Sequence, residues 1–146
     1  MRKAEGAALK KDFQKRLKRI EKGIVKSRDY THDNAQVRLE KVKERIEQLL
    51  GNRDLDPQRL EMEAVYLADK ADITEELVRL ESHHEQFKQM VNKGGPCGRK
   101  LNFLIQEMNR ELNTASAKAG LAELSHLVVD LKDELEKMRE QAQNVE

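Results

Sequence analysis

The chain has 146 residues, of which 38% are charged and only 3% aromatic, a mix that suits long exposed helices and coiled coils better than a compact globule. The lone cysteine, Cys97, excludes an internal disulfide and fits a reduced cytoplasmic setting, while the longest apolar run is far short of the roughly 20 residues a membrane helix needs. Net charge is +1, but residues 1–28 hold eleven Lys and Arg against three Asp and Glu, which leaves −7 for the remainder. A basic arm beside an acidic body suits contact with nucleic acid, although a solvated helix face is the plainer explanation of the same charges.

A first helix reads from Lys3 to Arg28, with Leu9, Phe13, Leu17, Ile20 and Ile24 on one stripe. It opens directly from the first residues, as expected of a piece of a longer chain, and no signal peptide is visible. Tyr30 to Asn34 is polar, a loop or a continuation. A second helix carries Leu39, Val42, Ile46 and Leu49 and stops at Gly51. Residues 52–56 form the clearest linker, so residues 1–56 are expected to make an N-terminal helical hairpin and 57–146 a C-terminal helical domain.

Asp56 is a good N-cap and Pro57 suits the first position of a third helix, with Leu60, Ala64, Leu67 and Ala71 as its stripe. Asp72 followed by Glu75 resembles a capping box, so a fourth helix starts there or the third runs through. Its stripe is Ile73, Leu77, Leu80, His84, Phe87 and Val91, which turns His84 inward and leaves His83 one position round. Gly94-Gly95-Pro96 ends it. A fifth helix uses Leu101, Leu104, Ile105, Met108 and Leu112, with a break expected over residues 114–120. The last helix repeats apolar residues from Leu121 through Leu124, Val128, Leu131, Leu135, Met138 and Ala142 to Val145, a seam for one partner helix about 37 Å long. No strand alternation of useful length occurs, so the fold class is all-α, an elongated bundle of long amphipathic helices with coiled-coil-like packing.

The phosphate-loop, Cys-x-x-Cys, His-Glu-x-x-His and Gly-x-Ser-x-Gly signatures are all missing. The turn at residues 94–98 reads as a helix breaker, or as backbone N–H groups that hold a phosphate with Arg99 and Lys100. Glu107 and Glu111 share a helix face, with Asn109 and Asn113 as a second pair, a spacing open to a divalent cation or to a plain solvated face carrying Arg110. Histidines in the 82–84 cluster can move protons near neutral pH, and a structural helix histidine is the alternative. The acids Glu63, Asp69, Asp72, Glu75 and Glu76 are either capping and surface charge or part of a metal site.

Several words in a fixed order carry a resemblance: residues 68–80 (ADKADITEELVRL), Ser82-His83, Gln86-Phe87, the Gly94-Gly95-Pro96 turn running on to Phe103-Leu104, residues 106–114 (QEMNRELNT), Val128-Val129, and residues 136–146. Together they resemble the C-terminal part of the YicC/YloC-like bacterial endoribonucleases, strongest over residues 57–146, with a family-like lead-in at the start of the chain. That resemblance implies a cytoplasmic, metal-dependent enzyme that cuts RNA internally, forms a homo-oligomer, and has an N-terminal domain with sheet content that is absent from this chain. It raises His83, Glu107 and Glu111 as catalytic candidates and Arg99, Lys100, Arg110 and Arg139 as phosphate-binding ones. The expected metal, Mn²⁺ or Mg²⁺, falls to Glu107 and Glu111 with Asp69 or Glu76, and the expected partner is single-stranded RNA, not a membrane. Asn102 stands where many relatives have Asp, and Leu112 is larger than the small residue expected in that word. A non-catalytic helical oligomerisation module is the rival expectation.

Overall fold

The computed structural model describes residues 2–31, 35–51 and 53–144. Six helices follow one another among them: α1 (Arg2–Asp29), α2 (Ala35–Leu50), α3 (Pro57–Lys70), α4 (Thr74–Lys93), α5 (Gly98–Ala119) and α6 (Ala122–Ala142). The all-α expectation holds, and no strand occurs among the described residues. Helices α1, α4, α5 and α6 pack in a ring, α1 on α4, α4 on α5, α5 on α6 and α6 back on α1, while α2 pairs with α3. The accessible surface is 10171 Å². A compact protein of 16.9 kDa would expose roughly 7,700 Å², so the molecule is extended.

The hairpin expected over residues 1–56 does not form, because α1 joins the four-helix core and α2 turns to α3 instead. The α1 stripe, Phe13, Leu17, Ile20 and Ile24, is buried in that core together with the stripes of α4, α5 and α6. Leu39, Val42 and Ile46 of α2 are only half-buried, and Leu49 is exposed. On α3 the buried positions are Ala64 and Ala68, while Leu67, expected inside, is exposed. The expected Val145 seam position lies outside the described residues, as do residues 32–34 of the polar stretch.

The stripes of α4 and α5 are buried as read, from Ile73 to Val91 and from Leu101 to Leu112, and that of α6 is buried from Leu124 to Ala142, while Leu121, read as its first position, is exposed ahead of the helix. Two further details differ. Helix α5 continues through residues 114–119 and breaks only at Gly120, whose φ of 61° is the left-handed conformation that glycine adopts without strain. Helix α6 packs on both α5 and α1, so its seam serves two partners rather than one. Phe13 and Phe87 meet edge to face at 5.5 Å between α1 and α4. Beside them, buried His84 donates from Nε2 to the Leu17 carbonyl at 2.8 Å, a structural bond that ties α4 to α1.

Helix α1 lies so close to α6 at Gly23 that a Cβ there would overlap the buried Leu131 side chain. Gly→Ala inside a helix ordinarily stabilises by roughly 0.5–1 kcal/mol. At Gly23 the sign reverses: overpacking by roughly 1–3 kcal/mol outweighs that gain, so a thermal melt of Gly23→Ala should show a net loss of about 1 kcal/mol.

Helix α4 starts afresh after a break at residues 71–73. Asp72 Oδ1 accepts from Thr74 N at 3.0 Å and Thr74 Oγ1 at 2.6 Å, and Glu75 pairs with Arg79 instead of closing a capping box. The Thr74 hydroxyl chiefly holds the Asp72 carboxyl below its ordinary range, helped by the Thr74 N–H and by Arg38 and Lys118, against partial burial. A carboxylate with a lowered folded pKa stabilises the fold above its unfolded pKa and loses that contribution as the pH falls through the folded value. Asp72→Ala should therefore cost about 1 kcal/mol at neutral pH. The gap to the parent should close as the pH falls below about 4. Urea melts at two pH values check both statements.

Candidate active site on the α4–α5 face

Helices α4 and α5 run antiparallel, since ion pairs join Arg79 Nε to Glu111 Oε1 at 3.0 Å and Lys118 Nζ to Glu76 Oε1 at 2.6 Å. Glu76 and Glu111 reach inward from polar positions on otherwise apolar faces and are buried, 1% and 7% exposed. One cation serves both: Arg79 Nη2 also approaches Glu76 Oε1 at 3.5 Å and Nη1 approaches Glu75 at 3.5 Å. Burying a carboxylate without a partner costs several kcal/mol, so the half-exposed Arg79 and Lys118 act as caps over two acids. Glu111 first and then Glu76 hold the Arg79 guanidinium protonated, and Glu76 raises Lys118. Glu76 Oε2 is buried with no partner among the described residues.

One turn along α4 from Arg79 stands His83, and one turn back along α5 from Glu111 stands Glu107. The antiparallel register that joins Arg79 to Glu111 thus brings His83 level with Glu107 on the same face. Both are half-buried, and His83 Nδ1 is covered but meets no hydrogen-bond partner among the described residues. Of the expected catalytic set, Glu111 is tied to α4 through Arg79, and His83 and Glu107 each lie one helical turn from that pair. Asn102 Oδ1, further back on α5, is likewise buried without a partner.

The expected metal ligands divide. Glu76 and Glu111 share the ion-pair cluster, whereas Asp69 lies on α3 and lines a cleft with Gln36, Arg38, Leu39 and Asp72. Among the described residues no group of three or more His, Cys, Asp or Glu is arranged to hold a metal ion. Mn²⁺ or Mg²⁺ needs several oxygen donors at once, and the places a cation would take beside Glu76 and Glu111 are filled by Lys118 and Arg79. The residues as arranged do not fit a metal.

The expected phosphate ligands also divide. Arg99 and Lys100 are exposed in the first turn of α5, and Arg110 is exposed on its polar side. Arg139 is committed to Glu136 through Nε at 3.0 Å and Nη2 at 2.6 Å, an exposed pair that holds the Glu136 carboxyl below its ordinary range. Gly94 and Gly95 take φ of 75° and 90°, so the glycines are required by the turn itself. Burial pushes the Cys97 thiol up, against Lys100, which leaves it a poor nucleophile. Arg79 and Lys118 escaped the sequence reading. Their one signal was spacing: Arg79 follows Glu75 and Glu76 by four and three residues, the steps that bring helical ion pairs together.

No helix among the described residues is long and apolar enough to cross a membrane. The family described as "Endoribonuclease YicC-like, C-terminal" matches residues 25–146. The chain is 42% identical over its whole length to a Clostridioides difficile protein named probable endoribonuclease YicC, and 41% identical to the Haemophilus influenzae protein of that name. It spans half the length of each of these relatives. The chain belongs to the YicC-like endoribonuclease family, whose C-terminal region it represents.

Proposed function

We propose that this chain is the helical half of an enzyme that cleaves RNA internally, with the α4–α5 face around His83 forming part of its active site. The observation that carries the reading is His83: a ring nitrogen without a partner, level with Glu107 and one turn from a cation fixed by two buried carboxylates. Internal cleavage of a phosphodiester needs a group that takes a proton from the attacking hydroxyl or returns one to the leaving oxygen, and His83 serves either step. Arg99, Lys100 and Arg110 are free to steer the RNA backbone towards that face, and Arg139 joins them only on leaving Glu136. An unpaired strand is the fitting substrate, because its flexible backbone can present a phosphate to a helix face. Glu107 and the unpartnered Glu76 Oε2 and Asn102 Oδ1 are oxygen donors that the ion pairs leave over, and a Mn²⁺ or Mg²⁺ ion held there would need further ligands from the rest of the enzyme. A cytoplasmic homo-oligomer accords with the half-buried lone cysteine and with the exposed Met62, Val65 and Tyr66 on α3.

The capping of Glu76 and Glu111 by Arg79 and Lys118 favours a structural role for those two acids, which is also what a non-catalytic oligomerisation module would show. Cleavage of an internally labelled single-stranded RNA separates the readings. A longer chain that adds the N-terminal half should cut it, and the same assay with Mn²⁺, Mg²⁺ or EDTA decides the metal requirement. Undiminished cutting by the N-terminal half alone would make this chain a scaffold, and no cutting by the longer chain would overturn the enzyme reading.

A further inference from the structure

The outward face of α1 carries Lys11, Lys15, Lys18 and Lys22 at steps of four, three and four, a straight row about 16 Å long. All four are exposed, and among the described residues none has an ion pair or a side-chain hydrogen bond. The contrast with their neighbours is the informative part. Arg16 is held by Asp12 at 2.9 Å and by Glu134 at 3.0 Å, Arg19 by Glu134 at 3.1 Å, and Arg28 by Glu81. The acids of the bundle thus neutralise the cations at the helix edges and leave the outward row uncompensated. With Gln14 and Arg19 the row lines a shallow depression, and beside it Lys18 and Lys88 line the α1–α4 groove with Glu21 and Asn92.

We propose that this lysine row is a docking track for the sugar-phosphate backbone of single-stranded RNA, an inference that rests on the reading that the protein acts on RNA. Successive ammonium groups stand one helical turn apart, a step that an extended strand matches phosphate by phosphate. Lysine gives point-charge attraction without base recognition, and the near absence of aromatic side chains removes any stacking platform from the face. A lipid surface is the poorer fit: Phe13, Leu17, Ile20 and Ile24 are all in the core, so beyond Val25 the helix has nothing apolar to insert. The track receives the strand on one side of the bundle, and the α4–α5 face acts on it.

Fluorescence anisotropy with a short labelled oligouridine, titrated at several salt concentrations, tests this. Each phosphate contact on a single strand adds about 0.7 to the slope of log affinity against log salt. Replacing Lys11, Lys15, Lys18 and Lys22 with Gln should lower the slope by about 3, so that between 50 and 200 mM salt the parent loses about 50-fold more affinity than the variant. The control, Arg45→Gln with Arg53→Gln and Arg59→Gln on the α2–α3 hairpin, should keep the parent slope. Binding by the row variant with the parent's slope would overturn the track and leave the RNA reading standing. No binding by any chain would overturn both. A row variant that binds RNA normally but loses self-association at low salt would assign the face to an acidic protein surface instead.

Discussion

His83→Ala is expected to slow RNA cleavage by roughly 10²–10⁴-fold, the usual contribution of a positioned general acid or base. The side chain is half-buried on the α4–α5 face and its Nδ1 makes no bond that the fold needs, so the same variant should lose about 1 kcal/mol of stability or less. Those two numbers together are the prediction. A structural histidine would show the reverse pattern, a clear stability loss with activity falling only as far as unfolding explains. His84 supplies that contrast one residue away: its Nε2 bond to the Leu17 carbonyl is buried, and His84→Ala should act on stability. Paired rate and urea measurements on the two variants, in the longer chain, separate the roles. Equal cleavage by His83→Ala and the parent would remove His83 from the chemistry.

Phe87→Ala should cost about 3–5 kcal/mol. The ring is fully buried and meets Phe13 of α1 edge to face at 5.5 Å. With native stabilities of about 5–15 kcal/mol, such a loss takes a third or more of the total. A denaturant melt should move to a lower midpoint with its slope retained. Phe87→Leu keeps most of the volume and should lose less than about 1.5 kcal/mol. A loss under 1 kcal/mol for the alanine variant would contradict the packing of α1 on α4.

Most of the helical architecture was legible in the sequence because each stripe is a local property. Ile73 to Val91, Leu101 to Leu112 and Leu124 to Ala142 repeat at three and four residues, and burial follows the repeat. Which stripe meets which was not legible. Helix α1 skips α2 and closes a ring with α4 and α6, a choice that depends on matching widths of apolar face and on Gly23, whose contact with Leu131 lies 108 positions along the chain. On α3 the eye takes Leu67 for the core, yet the buried positions are Ala64 and Ala68. The candidate site was half legible. Glu107, Glu111 and His83 were chosen by type and spacing, and of the three it is Glu111 that an ion pair ties across to α4. The sequence does not reveal that Arg79 and Lys118 would take the places a metal was expected to fill, because a partner 32 positions away has no local signature.

The most direct test of the central claim is where the scissile nucleotide sits. A single-stranded RNA with a photoreactive base at the cleavage position, and a 2′-methoxy group there to block attack, can be cross-linked to the longer chain and the attached peptide read by mass spectrometry. Cross-links in the segments that hold Arg79 to Lys88 and Gln106 to Lys118 are predicted. Cross-links confined to the N-terminal half would contradict the assignment of the α4–α5 face to the active site.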